Sequence, residues 1–285
     1  MKNASAIRAK LLTIAKSENI AFQVIIFRYL HERFLFRLSK SDYCDNFILK
    51  GGNLIYAFEH VLTRPTKDVD FLGFSISNDL ERIITIFKEI TEINNEDTVW
   101  YNSETIKAES ITELNKYAGV RLFIECGFDS IKQRIQIDIG FGDIVVPDVQ
   151  TIDYPLLLPS MSPVLVKAYS KESVIAEKFH AIITLSYSNS RMKDFYDLYV
   201  LFTSNPIKQD ILLESISATF KQRETIIVHT ASFFEQEFKT DLKLNLLWNQ
   251  FVKNNNLTIG VNFEEVVNLI SQKIKPIWDT LIEKS

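Results

Sequence analysis

The residues best suited to chemistry lie between positions 48 and 70, where a glycine pair precedes two closely spaced aspartates. Asp68 and Asp70 stand in a short apolar run that is typical of a strand, and side chains two apart on a strand point to the same face. Two carboxylates so placed either repel each other or share a cation. Mg²⁺ is the expected cation, because it binds proteins through one or two carboxylates together with substrate phosphates. The alternative is a pair of solvated charges at a strand end.

The glycine pair, Gly51 and Gly52, stands between a predicted strand and a predicted helix. Without Cβ atoms the backbone can approach a triphosphate closely, and the first N–H groups of the helix would face it. Asn53 follows where a hydroxyl would be the obvious phosphate donor, and its amide could take that role. The structural alternative is a tight strand-to-helix turn.

A second predicted strand supplies a third carboxylate. The run from Arg134 to Gly140 alternates polar and apolar residues, which places Asp138 on its polar face. An acid buried in a sheet is costly without a partner, so Asp138 is a candidate for a shared metal site. Two-metal phosphoryl transfer needs ions about 3.5–4 Å apart, and three carboxylates on two strands could hold them. Asp143 is a weaker candidate because it follows Gly142 in a predicted turn.

The second half of the chain carries another charged set. Asp194 and Asp197 are three residues apart on one predicted helix, and Lys178 lies on the preceding helix. Lys178 could neutralise the phosphate charge that grows in a transition state, with Asp194 orienting it. The alternative is a structural ion pair between two packed helices. His180 is interpreted as a helix-face residue beside Lys178 rather than as a general base.

Hydrophobic periodicity predicts strands and helices in the first half of the chain and helices alone in the second. The predicted strands are 46–50, 67–72, 99–101, 106–111, 119–126 and 131–140. The predicted helices are two within 5–40, then 53–60, 79–93, 171–187, 192–203, 208–219, 223–234, 242–254 and 263–283. Residues 62–66 are predicted to connect the helix 53–60 to the strand 67–72. The class is therefore α+β, with a mixed sheet followed by an α-helical C-terminal lobe.

The four prolines in the stretch 147–163 predict an interruption of regular structure and a domain boundary. Residues 1–160 would form one domain, and residues 161–285 a helical domain that completes the active-site cleft. The 285 residues carry a net charge of −4, which does not favour a strongly basic nucleic-acid binder. Two distant cysteines, and the lack of a signal peptide or an apolar run of about 20 residues, predict a cytoplasmic protein that does not engage membranes.

Five short motifs, in this order, resemble the AbiEii/AbiGii nucleotidyltransferase-like toxin family, which includes the MenT toxins. They span about residues 45–200 and are Lys50-Gly51-Gly52-Asn53-Leu54, Arg64-Pro65-Thr66-Lys67-Asp68-Val69-Asp70, Ile137-Asp138-Ile139, Glu177-Lys178 with Ala181, and Arg191-Met192-Lys193-Asp194 with Asp197. The resemblance implies a polymerase-β-like nucleotidyltransferase core. Asn53 departs from the family, which often has serine or threonine there.

The resemblance also implies an activity and its partners. The protein would transfer NMP from an NTP to an RNA acceptor, expected to be the 3′ end of tRNA, with Mg²⁺ or Mn²⁺ as the cofactor. It would act as the toxin of a bacterial toxin–antitoxin pair in abortive infection and phage defence. Its antitoxin would be a protein encoded nearby, expected to be a transcriptional regulator.

Residue roles follow from the same resemblance. The implied catalytic residues are Asp68, Asp70, Lys178 and Asp194. The implied nucleotide-binding residues are Gly51, Gly52, Asn53, Arg64, Thr66 and Lys193. The implied metal ligands are Asp68 and Asp70, and the strand alternation described above adds Asp138 as the third predicted ligand.

Two other functions stay open from the sequence. One is a small-molecule nucleotidyltransferase of the antibiotic-modifying kind, for which an apolar acceptor pocket would be evidence. The other is a non-catalytic nucleotide-binding protein, for which toxicity retained without the aspartates would be evidence. An RNA acceptor is favoured if a groove is lined by the basic residues Lys132, Arg134, Lys167, Lys171, Lys178, Arg191 and Lys193.

Overall fold

The computed structural model describes residues 3–59, 64–93, 97–111, 119–204, 206–257 and 259–284. Within these residues the chain forms two compact units. Unit 1 spans Met1–His60, Pro65–Gly142 and Gln150–Ala168, and unit 2 spans Val61–Arg64, Asp143–Val149 and Tyr169–Ser285. The chain thus contributes several separate segments to each unit. The functional division into domains 1–160 and 161–285 stays a prediction.

Unit 1 is built around a mixed sheet. Its strands are β1 (Phe47–Lys50), β2 (Asp68–Gly73), β3 (Val99–Ile111), β4 (Gly119–Phe128), β5 (Ile131–Phe141), β6 (Gln150–Tyr154) and β7 (Val164–Ala168). They form one sheet with the order β3-β4-β5-β2-β1-β7-β6. β2 lies in the middle, antiparallel to β1 and parallel to β5. The predicted α+β class with a mixed sheet is confirmed.

Helices cover the apolar side of this sheet. They are α1 (Ala4–Ser17), α2 (Phe22–Ser39), α3 (Gly51–Glu59) and α4 (Leu80–Glu92). α2 packs against β5 and β7, and α4 packs against β3. Ile135, Ile137 and Ile139 of β5 are fully buried, so the apolar face that the alternation predicted belongs to the core. The polar residues between them lie on the other face of the sheet.

Unit 2 is helical throughout its regular structure. Its helices are α5 (Lys171–Leu185), α6 (Met192–Ser204), α7 (Gln209–Gln222), α8 (Gln236–Lys239), α9 (Leu242–Asn254) and α10 (Phe263–Glu283). Aromatic side chains form its core, where the ring of Phe179 lies 5.5 Å from Phe233 and 5.7 Å from Trp278, between centroids. No helix in the described part of the chain is long and apolar enough to cross a membrane.

Several element predictions need correction. The predicted helix 223–234 does not form, and only a 3-10 turn at Ser232–Phe234 occurs there. The two strands predicted at 99–101 and 106–111 are one strand, β3, whose register against β4 shifts between Asn102 and Lys107. The stretch 147–163, predicted to lack regular structure, contains β6. Residues 60, 62 and 63, at the end of one predicted helix and in the following connection, lie outside the described residues.

Candidate active site

Three carboxylates converge on the polar face of the sheet in unit 1. Asp68 and Asp70 lie on β2, and Asp138 lies on β5 directly opposite Asp70 in the parallel pairing. One oxygen from each carboxylate can be chosen so that all three atoms lie within 4.8 Å of one another. The parallel register is what brings Asp138 to this position, because a shift by one residue would turn it to the opposite face. We call Asp68, Asp70 and Asp138 the acidic triad.

Gly51 touches this triad. Its φ is +66°, in the left-handed region, and a Cβ added to it would lie 1.9 Å from Oδ2 of Asp70. β1 pairs with β2 so that Lys50 stands opposite Asp70, and α3 begins at the next residue. A side chain at position 51 would therefore collide with the carboxylate and strain the backbone as well. The glycine that the sequence assigned to a phosphate turn is required here by its contact with Asp70.

Thr66 and Asn53 hold the strand that carries Asp68. The hydroxyl of Thr66 donates to Oδ1 of Asp68 at 2.8 Å. Nδ2 of Asn53 donates to the backbone oxygen of Asp68 at 2.7 Å, and the hydroxyl of Tyr154 donates to Oδ1 of Asn53 at 3.2 Å. Asn53 is buried, so its amide anchors α3 to β2 and β6. Direct nucleotide binding by Gly52, Asn53 and Thr66 stays a prediction.

Asp138 is hydrogen-bonded through both of its carboxylate oxygens. Nε and Nη2 of Arg121 donate to its Oδ1 and Oδ2, each at 2.8 Å. Nε2 of Gln136 lies 3.1 Å from both oxygens. The sequence analysis did not single out Arg121, although it predicted the strand 119–126. Only the antiparallel pairing that sets Arg121 opposite Asp138 reveals the contact.

Unit 2 contains a second charged group around Lys178. The Nζ atom of Lys178 lies 2.9 Å from Oδ1 of Asp194 and 2.8 Å from Oδ2 of Asp197. Arg64 donates from Nε and Nη2 to the two oxygens of Asp197, both at 2.8 Å. Nε of Arg191 lies 2.7 Å from Oδ2 of Asp194. We call Lys178, Asp194, Asp197, Arg64 and Arg191 the charged network.

Burial and pairing act in opposite directions on this network. Burial alone would lower the pKa of Lys178, but the carboxylates of Asp194 and Asp197 outweigh it and the pKa is raised. Burial would likewise raise the pKa of Asp197, yet Lys178 and Arg64 hold it well below its usual range. Lys178 and Asp197 are therefore both charged at neutral pH. The structural ion pair that the sequence left open is present, and it does not exclude a role in activity.

Two other predicted nucleotide contacts, Arg64 and Lys193, lie in unit 2. The Arg64 guanidinium pairs with Asp197 as part of the charged network. Lys193 is half-buried on α6, next to Asp194 in sequence. Their binding to a nucleotide stays a prediction.

Asp143, the weaker candidate for the third carboxylate, lies in unit 2. Its Oδ1 accepts a hydrogen bond of 3.0 Å from Nη2 of Arg223. Nη1 of Arg223 also lies 3.2 Å from Nδ1 of His180, whose Nε2 is 2.7 Å from the hydroxyl of Thr225. Burial, reinforced by Arg223, lowers the pKa of His180 to about 4. His180 is thus a neutral, buried helix residue at pH 7.

The donor set of the acidic triad fits a hard divalent cation. Carboxylate oxygens are the ligands that Mg²⁺ and Mn²⁺ prefer, and Mg²⁺ completes its shell with waters and phosphates. Among the described residues, the triad is the one group of His, Cys, Asp and Glu side chains close enough to hold a metal ion. By its ligand chemistry the triad is therefore a candidate site for a divalent cation.

Comparisons with known proteins find a matching family and similar solved structures. The family model described as "Nucleotidyl transferase AbiEii toxin, Type IV TA system" matches residues 33–268. Two solved structures are similar at 16% identity, JHP933 from Helicobacter pylori and a "putative nucleotidyltransferase from H. pylori". Their TM-scores are 0.47 and 0.46, and the alignments cover 90% of this chain with 94% and 97% of those chains. Among curated proteins there is no match.

Proposed function

Because the chain belongs to the AbiEii family of nucleotidyltransferase toxins of type IV toxin–antitoxin systems, we propose that it transfers NMP from an NTP to an RNA acceptor. The proposed acceptor is the 3′ end of a tRNA. The observation that carries the proposal is the convergence of three carboxylates within 4.8 Å, with Gly51 against Asp70. Such a group suits a metal–triphosphate complex.

Asp68, Asp70 and Asp138 are the residues that would hold or surround the metal ion. A bound Mg²⁺ or Mn²⁺ would neutralise charge on the triphosphate and orient it for in-line displacement. Thr66 keeps the carboxylate of Asp68 oriented through its 2.8 Å hydrogen bond. Gly51 leaves room for the carboxylate of Asp70, which lies where a Cβ would stand.

The proposed reaction is a displacement at the α-phosphorus of the NTP. The oxygen of the acceptor hydroxyl forms the new P–O bond, while the bond to the β-phosphate oxygen breaks and pyrophosphate leaves. The hydroxyl proton passes to solvent water. Lys178 and Asp194 match family positions needed for activity, and their participation is part of this proposal.

The surface beside the triad favours a nucleic-acid acceptor over a small molecule. Lys132, Arg134, Gln136 and Asp138 alternate along β5, so they share the polar face of the sheet. The guanidinium of Arg134 lies 4.6 Å above the ring of Phe123 on β4. An exposed arginine stacked on an aromatic ring offers both a phosphate contact and a platform for an unpaired base. An acceptor strand with a free 3′ end fits that chemistry.

Family membership implies an antitoxin partner. We propose that this partner is a protein encoded nearby that acts as a transcriptional regulator. The pair would act in the cytoplasm and limit phage infection. Expression of the toxin alone should arrest growth, and co-expression of the neighbouring gene should restore it. Growth arrest that persists in the Asp68→Ala/Asp70→Ala variant would argue for a non-catalytic toxin.

Label transfer tests the enzymatic proposal directly. Purified protein is incubated with Mg²⁺, total bacterial tRNA and each α-³²P-labelled NTP in turn, beside the Asp68→Ala/Asp70→Ala variant. We expect label on tRNA with the wild type only, and the labelled reaction identifies the nucleotide. A parallel panel of aminoglycosides tests the small-molecule alternative. Label on an aminoglycoside and none on RNA would reject the RNA acceptor.

A further inference from the structure

Asp138 is surrounded by hydrogen-bond donors. A carboxylate offers about four lone-pair directions, two on each oxygen. Arg121 takes one direction on each oxygen through a bidentate pair, and Nε2 of Gln136 lies within 3.1 Å of both oxygens. Asp138 is also buried, with 8% of its surface exposed. A metal ion could bind Asp138 only by displacing one of these donors.

The charges make that displacement unfavourable. Bidentate pairing with a guanidinium is among the stronger hydrogen-bonded contacts of a carboxylate. A second divalent ion between Asp70 and Asp138 would also lie beside the positive charge of Arg121. The acidic triad therefore differs from a two-metal site, which needs its third carboxylate available to an ion.

Arg121 itself keeps donors for a ligand. Its Nε and Nη2 atoms are used by Asp138, and no described residue accepts a hydrogen bond from Nη1. About a third of the side chain, 32%, is exposed. The hydrogen bond to Asp138, together with electrostatic attraction to Asp138, Glu109 and Asp68, raises the pKa of Arg121, so the guanidinium stays charged beside the triad. Arg121 is thus a fixed cation with a free edge at the candidate active site.

We propose that Arg121 takes the place of a second metal ion, so that the enzyme works with one ion, held by Asp68 and Asp70. Asp138 and Gln136 are positioning residues that hold the guanidinium. Arg121 donates to a non-bridging oxygen of the α-phosphate, where charge is redistributed as the P–O bond to pyrophosphate breaks. This inference rests on the proposed function and adds a residue outside the recognised motifs.

The test counts bound metal ions and measures nucleotide affinity. The full chain is saturated with each α,β-methylene NTP in turn, and bound Mn²⁺ is counted from the electron paramagnetic resonance of the free ion. We expect one Mn²⁺ per chain in the wild type and in Asp138→Asn. Two ions in the wild type and one in Asp138→Asn would overturn the inference while leaving the proposed function intact.

Calorimetry distinguishes a phosphate contact from a structural role. Arg121→Lys keeps the charge but not the bidentate geometry. We expect it to weaken binding of the α,β-methylene NTP by about tenfold, and to leave Mn²⁺–pyrophosphate binding within about twofold, because pyrophosphate lacks the α-phosphate. Equal weakening of both ligands would overturn the inference.

Two control variants complete the design. Arg8→Lys alters an exposed Arg–Asp pair of the same unit, formed with Asp129 at 3.2 Å, and should change neither measurement. Asp68→Ala/Asp70→Ala should bind no Mn²⁺–nucleotide complex. If the wild type binds none either, the proposed function fails together with the inference.

Discussion

The acidic triad and the charged network use the same residue types in opposite ways. In the triad, three carboxylates converge within 4.8 Å, and the one arginine that forms a bidentate pair with Asp138 lies at its edge. In the network, Asp194 contacts Lys178 and Arg191, and Asp197 contacts Lys178 and Arg64. The first group brings three carboxylates to one another on neighbouring strands, whereas three cations surround two carboxylates in the second.

This difference separates carboxylates that meet one another on a sheet face from carboxylates that each lie between two cations. A cation is needed to bring carboxylates together at low cost, so the triad favours binding of a metal ion. The network satisfies its own charges, and its carboxylates fix the position of Lys178. Substitutions should therefore affect ligand binding in unit 1 and both stability and activity in unit 2.

The largest effect is expected at Asp70. Asp70→Asn removes one negative ligand from the triad, and transfer should fall by about a thousandfold, equivalent to about 4 kcal/mol of transition-state stabilisation. Mn²⁺–nucleotide binding measured by calorimetry should weaken in parallel. Asp153→Asn, an exposed substitution on β6, is the matched control. Equal turnover of wild type and Asp70→Asn would remove Asp70 from the metal site.

The next largest effect is expected at Gly51. Gly51→Ala places a Cβ 1.9 Å from Oδ2 of Asp70 at a φ of +66°. Transfer should fall by about a hundredfold or more, and the backbone conformation alone should cost about 1–2 kcal/mol of unfolding free energy. Label transfer measures the loss of activity, and denaturant unfolding measures the loss of stability. Gly260→Ala is the control, since a Cβ there meets nothing within 4 Å. If Gly51→Ala were as active as the wild type, the Asp70 carboxylate could move away from the new Cβ without loss of activity.

A smaller loss of activity, with some loss of stability, is expected at Lys178. Lys178→Met should lower transfer by about a hundredfold if the ammonium contributes to phosphate transfer. The cost in stability should stay below about 3 kcal/mol, because Asp194 keeps Arg191 and Asp197 keeps Arg64. Lys243→Met, at an exposed position on α9, is the control. A large fall in melting temperature with unchanged activity of the folded fraction would make Lys178 purely structural.

The smallest effect concerns acid stability near the network. The pKa of His180 is about 4 in the folded protein, below the ordinary value of 6.5, because burial and Arg223 oppose its protonation. Between these values the unfolded chain binds more protons, so the contribution of His180 to stability is lost as the pH falls from 6.5 toward 4. The slope from this residue is at most about 1.4 kcal/mol per pH unit.

His180→Gln should therefore flatten the acid side of the stability profile obtained from urea unfolding between pH 4 and 7. The matched control is His229→Gln in the same unit, which lies outside the contacts made by His180. A profile of His180→Gln with the wild-type slope would show that folding does not lower the pKa of His180.

Local sequence patterns predicted much of the fold. Hydrophobic periodicity depends only on residues that are close in the chain, and it was sufficient for several elements. They are both N-terminal helices, the helix 242–254, the helix 263–283 and the strand with Asp68 and Asp70. The prediction of a helix at 223–234 was wrong, because an apolar run without a stable helical face can pack equally well as irregular structure. The strands β6 and β7 were missed because they lie within and directly after the stretch 147–163, whose prolines predicted an interruption of regular structure.

The candidate site was predicted only in part. The acidic residues were identifiable because Asp68 and Asp70 are two apart and Asp138 ends an alternating run. Arg121 was missed, since one arginine on an alternating strand resembles any solvated side chain. Its role depends on the pairing of β4 with β5, and the contact of Gly51 with Asp70 depends on the pairing of β1 with β2.

By itself the sequence determined the family and the α+β class, and it predicted the residues that would bind a metal–nucleotide complex, because these depend on residue types and short spacings. Only the tertiary structure decided which charges meet. Strand register brings Asp138 to Asp70 and Arg121 to Asp138, and helix packing brings Lys178 between two carboxylates. The physical reason is that pairing between distant segments reflects packing over whole faces of the fold, which no short stretch of sequence contains.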